Sequence, residues 1–214
     1  MAAQETLGTV VAVVVAAGKG TRFGAPKHAV PIDGVPMWEL SVRVFDSLGI
    51  PVVVVGDVPG GVPGGRRRRD SVAAGLDTVG DVEFVLVHDA ARPMLDPSLV
   101  KTVVDELRRS GADGVVPALP VTDTVKRVAG EVVVGTVDRS ELVVVQTPQG
   151  FRSEVLRAAH AIDPDEDVTD DAGLVERLGG TIRWVPGDPA NIKITYPDDL
   201  ARVRDAVPGV GRRG

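Results

Sequence analysis

Apolar residues in this chain arrive in short dense runs separated by glycine-rich or charged stretches. Residues 10–15 read VVAVVV, 51–55 PVVVV, 84–87 FVLV and 114–117 GVVP. Each run is too short to cross a bilayer, and its β-branched content suits a strand buried on both faces. Between the runs the pattern changes to a helical period. Over 36–48, Trp38, Leu40, Val42, Val44, Phe45 and Leu48 form one apolar stripe, with Pro36 suited to a first turn and Gly49 to a stop. A helix follows the arginine run and covers 71–79. Another starts at Asp96–Pro97, a capping residue followed by a first-turn proline, and runs to about 109. Alternating strand and helix predicts an α/β fold, a Rossmann-like, mostly parallel sheet with helices on both faces.

After residue 120 this rhythm breaks. Residues 121–149 are rich in Val and Thr, are interrupted by Gly130 and Gly135, and have no helical period. They predict hairpin-like segments projecting from the sheet as a β-arm. Exposed strands pair readily with a copy of themselves, so the 121–149 arm is the expected homodimer contact. Helices return over 153–161 and 170–178, strands over 182–185 and 191–195, and a last helix over 197–206, before a tail expected to fray. With no internal repeat, the whole of 1–214 reads as a single domain carrying one arm.

Composition narrows the function classes. Of 214 residues 43% are hydrophobic and only 3% aromatic, so the core must be aliphatic. The net charge of -6 argues against a dedicated nucleic-acid binder. The absence of cysteine removes disulfides, thiolate metal sites and a thiol nucleophile. The first residues lack a signal-peptide pattern and no apolar run approaches ~20 residues, so the expectation is a cytoplasmic protein without a membrane segment.

The candidate chemistry lies where apolar runs end. The first run stops at Ala16-Ala17-Gly18, and Lys19, Arg22 and Lys27 follow within a loop of small residues. Backbone N–H groups in such a loop, with cations beside them, cradle phosphate. The alternative is a turn with incidental charges. The loop matches neither G-x-G-x-x-G, since position 23 is Phe, nor a Walker pattern, since position 13 is Val. That sets a dinucleotide-dependent oxidoreductase aside. Arg66 to Arg69 stand between Gly64-Gly65 and a helix near Ser71. They read as a solvated basic patch, or as a base pocket formed by glycine backbone and the Ser71 hydroxyl. The third strand ends in His88-Asp89-Ala90-Ala91-Arg92-Pro93. A carboxylate at the carboxyl end of a parallel strand is placed to hold a divalent cation or a hydroxyl, or else an Asp–Arg pair shapes the loop. A lone histidine there reads as structural. In Asn191-Ile-Lys193-Ile-Thr195 the alternation alone indicates ordinary strand amphipathicity, and the acidic stretch 163–167 lacks the spacing of a calcium loop.

Taken in order, these motifs, with TVDR at 136–139, TPQ at 147–149 and Arg152, resemble the 2-C-methyl-D-erythritol 4-phosphate cytidylyltransferase family. That family lies within the sugar-nucleotide pyrophosphorylase-like nucleotidyltransferases. The resemblance runs from about residue 10 to 206. It implies an enzyme that transfers CMP from CTP to a sugar-alcohol phosphate with Mg2+. By the same resemblance, Arg22 and Lys27 are catalytic, stabilising charge on the reacting phosphorus. Ala16, Ala17, Gly18, Gly65, Arg68, Ser71 and Lys193 bind nucleotide. Asp89, Thr136, Arg152 and Thr169 bind the acceptor, with Asp89 also a metal ligand and Thr136 and Arg152 reaching across a dimer. His28 and Ala190 depart from the family pattern, and the arginine run is denser than usual. A pentitol-phosphate cytidylyltransferase acting on ribitol 5-phosphate would share the nucleotide half. A non-catalytic nucleotide-binding regulator would not need Arg22, Lys27, Asp89 and Lys193 together.

Overall fold

The computed structural model describes residues 9–18, 30–162 and 168–206, the side chains of 204–206 excepted. Strand β1 (Val10–Val15) is followed by a small hairpin, β2 (Pro31–Ile32) and β3 (Val35–Pro36), and by helix α1 (Met37–Ser47). The hairpin turns on Asp33 and Gly34, both at positive φ, which is the Asp-Gly signature of a tight turn. Next come β4 (Val52–Val55), α2 (Arg68–Thr78), β5 (Phe84–Asp89), α3 (Pro97–Ser110) and β6 (Gly114–Pro120). The Asp96 side chain caps α3 by accepting from the Ser98 N–H. Strands β7 (Val125–Ala129) and β8 (Val132–Val137) form a separate hairpin. The chain then returns through β9 (Val143–Val145) and β10 (Gln149–Arg152). Helices α4 (Ser153–Ala161) and α5 (Asp171–Arg177), strand β11 (Ile182–Pro186) and helix α6 (Pro197–Ala206) complete the described fold.

The central sheet runs in the order β11-β6-β10-β5-β1-β4, with β9 also paired to β6. The β1–β4, β1–β5 and β6–β11 pairs are parallel, and β10 is antiparallel to both of its neighbours. Side chains alternate across this sheet. Val10, Ala12 and Val14 of β1 pack with Phe45 of α1 and with Leu99, Val103 and Leu107 of α3. Val13 faces the other way, into the cluster containing Val72 and Leu76 of α2, Leu156 of α4 and Val175 of α5. Both faces are covered, so the uniformly apolar runs are required.

Three expectations need correction. Residue 149 does not belong to the arm: β10 lies inside the sheet, and β9 is bonded to β6, so the projecting part is chiefly the β7–β8 hairpin. Residues 191–195 form no strand. Ile192 N–H makes a local turn bond to Ala190 O, and Ile194 N–H reaches across the fold to Ala91 O. The alternation there arises because Ile194 plugs a third apolar cluster with Ile32, Met37, Leu200 and Val203, while Lys193 turns toward β5. Finally, Arg152 sits on β10 opposite Phe84, at the start of β5 and away from the arm. The acidic stretch 163–167 and the tail 207–214 lie outside the described residues.

Among the described residues the hairpin is the most exposed apolar part. Val128, Val132, Val133 and Val134 are each more than half exposed. Its base is tied by Arg139, whose guanidinium donates to the Thr122 carbonyl.

Candidate active site

Three parallel strands, β4, β1 and β5, end side by side, with Val15 in register with both Val55 and Asp89. In an open parallel sheet the carboxyl ends of the strands border the ligand crevice. Ala16, Ala17 and Gly18 leave β1 at this edge, where the Ala16 N–H donates to Val55 O. The loop before α2 closes against them. A Cβ on Gly64 would lie 2.3 Å from Ala17 Cβ, so glycine is required there by the approach of the two loops. Ser71 is buried. Its hydroxyl accepts from the Gly65 N–H at 3.1 Å and lies 3.2 Å from the Arg67 carbonyl, to which it donates. It therefore holds the loop in shape and leaves the backbone of Gly64 and Gly65 exposed.

The arginine run divides its labour. Arg67 pairs with Asp70 at 2.9 Å, and the Asp70 carboxylate also accepts from the Arg67 N–H at the start of α2. Arg69 is buried and donates to the carbonyls of His160 and Ile162 at the end of α4. Arg66 is the exposed member. Arg68 spans two carboxylates: Nε donates to Asp89 Oδ1 at 2.9 Å, and a terminal nitrogen donates to Asp171 Oδ2 at 2.7 Å. Lys193 Nζ donates to the other Asp89 oxygen at 2.6 Å. Lys193 thus reaches the site from a loop, and its side chain remains 44% exposed.

This chain of charges sets the protonation states. Burial by itself would raise the Asp89 carboxyl, but Arg68 and Lys193 outweigh it and hold the group well below the usual carboxylate range. Burial would likewise weaken the charge on Arg68, and Asp171 and Asp89 together push it above its ordinary value. Asp171 is lowered against its own burial by Arg68 and by His160, whose Nε2 lies 3.0 Å from Asp171 Oδ1.

Behind Asp89 lies a second, neutral network. His88 is fully buried, and its Nε2 lies 3.2 Å from the Arg92 carbonyl. A carbonyl only accepts, so Nε2 carries the proton and Nδ1 accepts from the Thr147 hydroxyl at 3.0 Å. Thr147 Oγ1 in turn accepts from the Asp89 N–H at 3.1 Å. Burial pushes the His88 pKa down to about 4. Arg92 makes no pair with Asp89. Its guanidinium donates to the carbonyls of Asn191 and Val145, joining the loop that carries Lys193 to β9. His88 and Arg92 thus hold this end of β5 in place, and Asp89 is the group presented to the crevice.

The fold thus gathers Ala16, Ala17, Gly18, Gly65, Arg68, Ser71, Asp89 and Lys193 at one edge. Thr136 is on the separate hairpin, where its hydroxyl accepts from Lys126 at 2.7 Å. Thr169 is exposed and immediately precedes the Asp170–Asp171 start of α5. Arg152 is five residues along β5 from Asp89, about 17 Å away at ~3.3 Å per residue. There its guanidinium lies 5.7 Å from the Phe84 ring centre. Arg22 and Lys27, with Lys19 and His28, lie outside the described residues. Asp171 and His160 were not anticipated, and Gln149 entered only as the last residue of the TPQ motif. The available signal was the Asp170–Asp171 doublet, since Asp170 alone accepts from Gly173 N–H to cap α5 and leaves Asp171 free for another task.

Among the described residues no three His, Asp or Glu groups converge to hold a metal. Asp89 and Asp171 each have both oxygens engaged, but Asp171 is held inside at 1% exposure, whereas Asp89 borders the crevice at 11% and one of its partners is the half-exposed Lys193, so Asp89 could contribute a ligand once Lys193 moves to phosphate. One carboxylate plus substrate phosphates is a donor set that suits Mg2+.

Known proteins carry the same arrangement of chain. The protein is 48% identical over 213 residues to a 2-C-methyl-D-erythritol 4-phosphate cytidylyltransferase of Nocardia farcinica, covering 90% of this chain and 91% of that one. It is 47% identical over 218 residues to the Rhodococcus jostii protein of the same name, covering 94% and 96%. The crystal structure of 2-C-methyl-D-erythritol 4-phosphate cytidylyltransferase from Thermus thermophilus superposes with a TM-score of 0.79 at 34% identity, covering 92% of this chain and 98% of that one. Residues 10–207 match the family model of IspD, 2-C-methyl-D-erythritol 4-phosphate cytidylyltransferase, and the chain belongs to that family.

Proposed function

We propose that this protein transfers CMP from CTP to 2-C-methyl-D-erythritol 4-phosphate, giving 4-diphosphocytidyl-2-C-methyl-D-erythritol and pyrophosphate, as a cytoplasmic homodimer. The observation that carries the reading is Asp89, held ionised between Arg68 and Lys193 at the strand edge where the glycine loop begins. That is a site built to manage phosphate charge. An acceptor phosphate oxygen attacks the α-phosphorus of CTP; the new P–O bond forms as the bond to the β-phosphate oxygen breaks, and pyrophosphate leaves. A phosphate monoester has a second pKa of about 6, so it is largely dianionic at neutral pH and needs no general base. Catalysis is then positioning and charge stabilisation.

In this scheme Ala16, Ala17 and Gly18 offer backbone to the triphosphate, and Arg22 and Lys27 stabilise the charge on the α-phosphate. Gly65 backbone borders the cytosine, with Ser71 and Arg68 holding that pocket. Lys193 leaves Asp89 for the incoming phosphates, which its exposure permits. Asp89, with the triphosphate, would hold Mg2+, which when bound neutralises phosphate charge. Thr136, carried on the exposed hairpin, and Thr169 contact the acceptor, Thr136 from the second subunit. Arg152, which lies beside Phe84 on β10 of its own chain, contacts the acceptor of the second subunit.

Pyrophosphate release is the test, measured with CTP, ATP, GTP and UTP against 2-C-methyl-D-erythritol 4-phosphate and ribitol 5-phosphate. The expected result is turnover with CTP and the methylerythritol acceptor. Preference for ribitol 5-phosphate, or no release with any pair, would overturn the assignment.

A further inference from the structure

We propose that Asp171, steadied by His160, is a positioning residue for nucleotidyl transfer, holding Arg68 so that Arg68 in turn fixes Asp89 at the strand edge. The inference deepens the proposed function and rests on it. Asp171 makes no approach to the crevice: its side chain is 1% exposed and both oxygens are occupied, Oδ2 by Arg68 at 2.7 Å and Oδ1 by His160 at 3.0 Å. Its placement is fixed from the sheet. Gln149 of β10 donates to Asp170 Oδ2 at 2.8 Å and accepts from the Ala172 N–H at 3.3 Å, so the first residues of α5 are bonded to the strand beside β5. An Arg68 paired with Asp89 alone could rotate about a single contact. The second carboxylate fixes the plane of the guanidinium.

A role in stability alone is the competing explanation, and physical chemistry makes it weak. Desolvating a buried ion pair costs about what the pair regains, so the presence of the pair is weak evidence for a stabilising role. The path also crosses the fold. It links residue 171 to 68, 68 to 89 and 89 to 193, joining α5, α2, β5 and the loop before α6.

The experiment is a kinetic double-mutant cycle with Asp171→Asn and Arg68→Lys, whose single ammonium cannot reproduce the two-carboxylate grip. Asp171→Asn is expected to lower kcat by about 10- to 100-fold with a smaller change in the KM for CTP, the usual scale for outer partners of a site. In the Arg68→Lys background it should cost little more. Losses that multiply, or an unchanged kcat in the single variant, overturn the proposal. If Asp171→Asn does not fold, His160 decides: Gln, which keeps an N–H donor, should preserve kcat where Leu loses it, and equal behaviour of the two refutes the idea. The Asp89 carboxyl 13C resonance, read in the same variants, separates this failure from that of the proposed reaction. It should move on Asp171→Asn, or on His160→Leu, even if the wild type releases no pyrophosphate, and an unmoved resonance refutes the coupling.

Discussion

Replacing Thr147 by Val keeps the shape of the side chain and deletes its hydroxyl. That hydroxyl donates to His88 Nδ1 at 3.0 Å and accepts from the Asp89 N–H at 3.1 Å, in a region where Thr147 is 5% exposed and His88 is fully buried. The Val variant therefore strands one buried acceptor and one buried donor. Each costs about 1–3 kcal/mol, offset by the easier burial of a methyl group, so the net loss should be about 2–4 kcal/mol. With a urea m-value of about 2–3 kcal/mol/M for a chain of this size, the midpoint should fall by roughly 1–2 M. The Ser variant is the control, because it keeps the hydroxyl and deletes only a methyl, at about 1 kcal/mol. Urea unfolding followed by circular dichroism, at one fixed protein concentration, ranks wild type above Ser and Ser above Val. A Val variant as stable as the Ser variant would show that packing, and not the hydroxyl, secures this junction, and the assigned His88 tautomer would fall with it.

Acid should act in two stages. His88 titrates at about 4 when folded and near 6.5 when unfolded, so the unfolded chain binds the extra proton between those values. Stability from this group is complete above pH 6.5 and declines toward pH 4, by on the order of 3 kcal/mol, before protonation of Asp89 and Asp171 adds a further loss at lower pH. Thermal unfolding of wild type and His88→Gln across this range, without divalent cations, should show the first stage only in the wild type. Lys27→Ala should lower kcat by about 10²–10³ and affect CTP affinity less, and near-normal turnover would remove that residue from catalysis. Gly64→Ala should force the loop from Ala17 and reduce kcat/KM for CTP by about 100-fold, the scale of a ~1 Å misplacement, and unchanged kinetics would mean that the loops are not held in contact. Val132→Glu with Val134→Glu should raise a dimer dissociation constant by at least about 100-fold, since each buried valine contributes about 1.5–3 kcal/mol; sedimentation that finds one assembly state in both proteins would refute dimerisation through the hairpin.

The strands buried on both faces were legible because nothing else explains runs such as Val10–Val15. Strand β10 was not. Its sequence, QGFR, has one large apolar residue, because Gly150 must admit Leu107: a Cβ there would lie 2.6 Å from Leu107 Cδ1. A strand chosen for what it leaves out has no hydrophobic signature. At the site, Asp89 and Lys193 could be picked out by motif, yet their direct contact joins residues 104 apart and no local pattern encodes it. The arginine run stayed ambiguous for the same reason. Charge density suggests a surface patch, whereas the partners that take Arg68 and Arg69 inside, Asp171 and the end of α4, come from more than ninety residues downstream.

The antiparallel β10 has a consequence for how the protein can be made. Strands β5 and β6 share no ladder, and each reaches the other only through β10. Until residue 152 is available, the sheet exists as two unconnected pieces, and β5 presents a wholly buried-type edge, FVLVHD, to the solvent. During synthesis that edge remains open while the hairpin is translated, at ~5–20 residues per second a wait of a few seconds. A nascent chain stalled within the hairpin would carry a sticky, unpaired strand at its centre. The exposed valines that follow would add to the hazard, so recovery of soluble protein should depend on the speed and temperature of translation through this segment more than on the stability of the finished fold.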